Sequence, residues 1–163
     1  MTTIVSPSAS SPTPTGPSQS PSPTLTPTPT LSPEDQKLED AKARVVLLWQ
    51  TLDGLLVDSS RSINELDTLA SGEALSSLQV MLTTVRQRGQ VQVGATKIPS
   101  QRALAKGDGW VVTSCVDRSE AILTDKAGQP VTPAPQARLS HESTVQLVGA
   151  NLQITKDEVL GSC

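Results

Sequence analysis

The sequence predicts an α+β fold, N-terminal helices packed on a curved antiparallel sheet, preceded by a Pro/Ser/Thr-rich arm. Three observations carry this. Residues 1–32 hold no charged side chain and eight of the chain's thirteen prolines. From residue 33 onward, apolar residues recur at three- and four-residue steps, the helical period. After Gly89 the period changes to two, the strand period. Helices first and strands afterwards indicates α+β rather than alternating α/β.

The arm, residues 1–32, is expected to be disordered and extended. Repeated Pro-Ser and Pro-Thr steps fix φ and remove amide donors, so neither helix nor sheet propagates. Too few apolar residues are present to offset the ordering entropy. The domain, residues 33–163, opens with a helix signal: Ser32 at the N-cap, Pro33 at the first helical position, then Glu34 and Asp35. The first helix is expected over about 33–57, with Leu38, Ala41, Val45, Leu48, Trp49, Leu52, Leu55 and Leu56 on one stripe. A second helix fits 62–70 and a third 73–88, with Arg86 and Arg88 in its last turn and Gly89 as the residue after its cap.

Strands follow at about 90–98, 101–106, 110–117, 121–124, 138–148 and 152–157. Pro99 interrupts the first of them; residues 101–106 form a second strand or continue the first after a bulge. Gly107-Asp108-Gly109 signals a tight turn. Asp125-Lys126-Ala127-Gly128 turns the chain again, Pro130, Pro133 and Pro135 mark an edge or loop, and Gly149-Ala150-Asn151 reverses it. The strands are read as one antiparallel meander.

Composition narrows the function. The net charge is −3 and the cations are scattered, so no basic face for nucleic acid and no polybasic membrane patch is expected. Trp49 and Trp110 are the only aromatic residues besides His141. The core must be aliphatic, and stacking platforms for single-stranded nucleic acid are lacking. No apolar run approaches the ~18 residues of a membrane-spanning helix. No signal peptide is visible, so any export segment is expected to lie outside this chain. The two cysteines, Cys115 and Cys163, are an even number but a weak signal by themselves; unrelated thiols and a disulfide both fit.

Three short motifs resemble a known group. Cys115-Val116-Asp117-Arg118-Ser119 on a middle strand, Asp125-Lys126-Ala127-Gly128 at a turn, and the terminal Gly161-Ser162-Cys163 are similar to small actinobacterial or actinophage envelope proteins and lipoproteins. Their fold is the cone of nuclear transport factor two, scytalone dehydratase and ketosteroid isomerase. The resemblance covers roughly residues 33–163. Leu152 stands where such proteins often carry Trp. The resemblance implies that Cys115 and Cys163 pair, which would contribute about 4 kcal/mol through the long loop it closes and would place the domain in an oxidising compartment.

The candidate site residues are few. Asp117 shares a strand face with Cys115. It is a weak candidate for a base inside the cone, as carboxylates serve isomerases of this fold. Alternatively it closes the strand end by accepting from the Arg118-Ser119 backbone. His141, the single histidine, lies in a polar stretch expected on an exposed strand face. A Ser119–His141–Asp117 triad can be drawn, but no serine has a nucleophile-elbow context. Trp49 and Trp110 are candidate cavity-lining residues or core packing. No zinc spacing, EF-hand loop or phosphate-binding glycine motif occurs, so no metal or cofactor is expected.

The reading that results is a non-enzymatic extracytoplasmic binding module on a flexible stalk. It takes a protein partner or a small apolar ligand, or dimerises through the open sheet face. The alternatives are a small-molecule isomerase or dehydratase with Asp117 as base, and a cytoplasmic or virion structural protein with reduced thiols.

Overall fold

The computed structural model describes residues 31–131 and 137–163. The expected arm, apart from Leu31 and Ser32, lies outside the described residues, as do Pro133 and Pro135. Leu31–Cys163 forms one unit.

Helix α1 spans Pro33–Val57. Ser32 caps it: its hydroxyl accepts from the Asp35 N–H at 3.1 Å and donates to the Asp35 carboxylate at 2.6 Å, satisfying an otherwise orphaned amide. Its apolar stripe is buried as the spacing requires, from Ala41 and Val45 through Trp49 to Leu55 and Leu56. Helix α2 spans Gly72–Gln87 and buries Ala74, Leu82 and Val85. Gly89 follows its cap at φ +64°. Gln90 N–H reaches back to Val85 C=O at 3.0 Å, the bond that a left-handed glycine permits at a helix end. Between the helices, the short second helix expected over 62–70 is a 3₁₀ helix, Ile63–Thr68. Six residues give too few i→i+4 bonds to offset helix nucleation, and Leu69, Ala70 and Ser71 are drawn into sheet-like pairing. Leu69 C=O accepts from Ile154 N–H at 2.9 Å, and Ser71 N–H donates to Ile154 C=O at 3.0 Å.

Among the described residues six strands follow: β1 (Val91–Val93), β2 (Lys97–Lys106), β3 (Gly109–Asp117), β4 (Ile122–Thr124), β5 (Arg138–Val148) and β6 (Asn151–Ser162). They make a four-stranded antiparallel sheet ordered β2-β3-β5-β6 and a two-stranded ribbon of β1 with β4. Three expectations are corrected. Residues 90–98 are not one strand. Gly94 turns the chain at φ +82°, and β2 starts at Lys97 and runs through Pro99 with a bulge between Lys97 and Ser100. Second, β4 leaves the meander to pair with β1, Val93 opposite Ile122. Third, β6 continues to Ser162 rather than stopping at 157, because two bulges let it follow the full length of β5.

The sheet has two chemically distinct faces. Trp110, Val112, Ser114 and Val116 of β3 stand opposite Val145, Ser143, His141 and Leu139 of β5. Val112, Val116, Val145 and Ile154 join the α1 and α2 residues in one aliphatic core. The other face carries Thr113, Cys115 and Asp117 opposite Glu142, Ser140 and Arg138.

Candidate functional site

The disulfide is formed. Cys115 and Cys163 are bonded, with Cα atoms 5.7 Å apart and a separation of 48 positions in sequence. The register explains the reach: Cys115 of β3 pairs with Ser140 of β5, which pairs with Gly161 of β6. Cys163, the residue after β6, therefore crosses over Ser140 on the face away from the helices. An open hollow of about 340 Å³ lies beside the bridge, lined by Ser100, Arg102, Thr113 and Ser140 among others.

Asp117 sits at the end of β3. It accepts from Ser119 N–H at 3.0 Å, and Arg138 Nε lies 3.5 Å away. The Ser119 backbone N–H, then the Ser119 side chain and the positive charges of Arg138 and Lys97, hold its carboxyl below the usual carboxylate range. A general base working near neutral pH needs the opposite shift. The geometry is that of the turn-closing acceptor.

His141 is not on an exposed face, as the polarity of its neighbours suggested; it is 7% exposed. Its Nδ1 lies 2.8 Å from Asp157 Oδ2, Ser143 Oγ donates to Asp157 Oδ1 at 2.5 Å, and the Trp49 ring meets the imidazole edge-on at 5.1 Å. The period of two holds the explanation: Leu139 and Val145 share parity with His141 and Ser143, so all four point toward α1. Asp157 and Ser143 escaped the sequence reading because their pairing across the strands cannot be recognised before the β5–β6 register is known. The arrangement is no catalytic triad. Ser143 donates to the carboxylate instead of to the imidazole; Asp117 lies on the opposite face, three positions along β3 from Ser114, the partner of His141, and Ser119 lies in the turn beyond the strand. The cluster fixes β6 beneath α1.

A second polar anchor was also missed. Asp53 of α1 accepts from Thr96 N–H at 2.7 Å, Thr96 Oγ1 at 2.8 Å and Gln92 Nε2 at 2.7 Å. It clamps the Gly94 turn that divides β1 from β2.

The two tryptophans have different settings. Trp49 is 9% exposed and belongs to the core. Trp110 is half-buried and lines a recess of about 460 Å³ at the start of α1 with Leu38, Ala105 and Leu147, rimmed by Glu34, Lys37 and Asp108. On the opposite flank of α1, Leu47 contributes to two shallow recesses. One is bounded by Ala150 and Leu152, the other by Thr68 and Leu69. Apolar side chains floor these recesses and charged ones stand at their rims. Among the described residues no three His, Cys, Asp or Glu side chains gather as metal ligands would, and no helix is long and apolar enough to cross a membrane.

No family model matches the sequence, and no curated protein matches it. Solved structures do. The crystal structure of the intermembrane space region of chloroplast protein ARC6 is similar with a TM-score of 0.56 and 20% identity, covering 82% of this chain and 100% of that chain. A de novo β-sheet design protein solved by NMR aligns with a TM-score of 0.44 and 12% identity, over 78% of this chain and 92% of that chain. What this chain shares with the ARC6 region is the fold: helices on an antiparallel sheet.

Proposed function

We infer that this chain is a non-enzymatic interaction module working outside the cytoplasm, with the Pro/Ser/Thr-rich arm as its spacer. The observation that carries the reading is the Cys115–Cys163 bridge, since disulfides persist in oxidising compartments and are rare in the cytosol. The ARC6 region, a fold relative, belongs to an intermembrane space, which supports the same direction by analogy only. The finer placement, among cone-fold envelope proteins, rests on the Cys115–Ser119, Asp125–Gly128 and Gly161–Cys163 motifs. Binding is favoured over catalysis because Asp117 is spent on a turn and His141 is locked under α1. The recess at Trp110 fits an apolar side chain of a protein partner or a small apolar ligand.

Fractionation of the source cells, with immunodetection of the chain, tests this. The chain is expected in the extracytoplasmic fraction and accessible to added protease in intact cells. Recovery from the cytosolic fraction alone would overturn the reading and favour the structural protein with reduced thiols.

A further inference from the structure

β2 is an open edge of the sheet. β2 pairs with β3 along one side only, and among the described residues no other backbone group bonds to it. At the opposite end, β6 is covered at Ile154 by Leu69 and Ser71. An edge strand turns every second N–H and C=O toward its free side, where an incoming strand can take them up. Pro99 lacks a donor, so the usable stretch is Ser100 to Lys106.

The charge along this edge is one-sided. β2 carries Lys97, Arg102 and Lys106 and no carboxylate, in a chain of net charge −3. Lys97 is engaged by Glu120 at 2.5 Å. Arg102 and Lys106 are exposed and make no ion pair among the described residues. They share a strand face, with Leu104 between them 52% exposed. On the other face Ala105 opens into the Trp110 recess.

We propose that the β2 edge docks an extended acidic segment of a partner protein as a further strand of the sheet, with two carboxylates opposite Arg102 and Lys106 and an apolar side chain between them opposite Leu104. This rests on the interaction-module reading and specifies the partner's chemistry. A second copy of the chain is the poorer occupant. Pairing the Ser100–Lys106 stretch with itself would bring Arg102 and Lys106 against the same two cations of the other copy, and like charges across a strand pair repel.

The test uses the full chain and a labelled synthetic peptide of valine and threonine whose centre reads glutamate-threonine-leucine-threonine-glutamate. A control peptide has lysine for both glutamates. Fluorescence anisotropy at low salt is expected to show binding of the acidic peptide alone, with amide exchange slowed between Ser100 and Lys106. The double variant Arg102→Glu/Lys106→Glu changes only exposed side chains. It should bind the acidic peptide about tenfold more weakly, as two exposed ion pairs turned repulsive allow, and gain affinity for the lysine peptide. Four results would each overturn the proposal: no binding, equal affinity in the double variant, protection on the Leu47 flank of α1 instead of β2, or a single-stranded oligonucleotide bound as tightly as the peptide. Failure here with the chain still found outside the cytoplasm removes the β2 site alone. Peptide binding by a chain found only in the cytosol removes the compartment reading alone.

Discussion

Cys163 reaches Cys115 across Ser140, so one covalent bond fastens β6 to β3 over the strand that separates them. The bond constrains a loop of 48 residues and is worth about 4 kcal/mol by loop-closure entropy, a large share of a small domain's total stability. Cys163→Ser is expected to lower unfolding free energy by roughly that amount in urea titrations. Amide exchange should rise first in the second half of β6, where Val159 and Leu160 are already more than half exposed. An unchanged unfolding midpoint would mean that the strand holds by pairing alone.

Gly94 is the hinge between ribbon and sheet. Its φ is +82°, and a methyl group there would run into the backbone carbonyl of Glu120. Gly94→Ala therefore combines left-handed strain with a clash and is expected to cost about 2–4 kcal/mol. Asp53→Ala removes the three bonds that clamp the same turn and leaves the buried Gln92 amide only its 3.3 Å bond to Gly94 C=O, at about 2–3 kcal/mol. Thermal melts of both variants check this; full stability in either would show that the turn does not need its clamp.

Asp157 serves two buried partners at once. Asp157→Ala leaves His141 and Ser143 without their acceptor and is expected to destabilise by about 2–3 kcal/mol. Asp157→Asn, which keeps an acceptor oxygen, should cost less. Because the Trp49 ring meets the His141 imidazole, Trp49 emission should shift in the alanine variant while Trp110, outside this cluster, keeps its own. An unshifted Trp49 signal would place the imidazole elsewhere in solution.

Acid should erode the Asp117 turn in a defined direction. With the folded-state carboxyl held below its ordinary value by Ser119 and Arg138, the contribution is complete above the unfolded value of about 3.9. It is lost as pH falls through the lower folded value. Asp117→Asn is expected to flatten this acid limb, and to lower stability near neutral pH by the same small amount that acid removes from the parent. A carboxyl carbon titration by NMR gives the midpoint itself. A value raised toward neutrality would restore Asp117 as a candidate base.

Much of the fold was legible because local signals agreed with tertiary needs. The Ser32-Pro33 cap, the α1 stripe and the Gly89 stop each act within one helical turn. The long strand expected over about 138–148 is β5, Arg138–Val148. What sequence could not show depends on pairing partners. β4 is three residues long and reads like another rung of the meander, yet its partner β1 lies some thirty residues earlier. Residues 62–70 have helical spacing, but Ile154 draws Leu69–Ser71 into an edge. The buried His141 and Ser143 and the part-buried Asp157 look like surface polarity until two bulges set the β5–β6 register. Of the site residues, the disulfide was reached through family motifs and Trp110 through its place beside a turn. The open, cationic β2 edge had no signature, since edge position is a property of the strand order.

The central claim, a domain built for an oxidising compartment, is tested most directly by counting free thiols on protein isolated from its native source and alkylated before any reductant is added. Two blocked cysteines, both released by reductant, are the expected result. Two alkylated thiols, Cys115 and Cys163 alike, would contradict it.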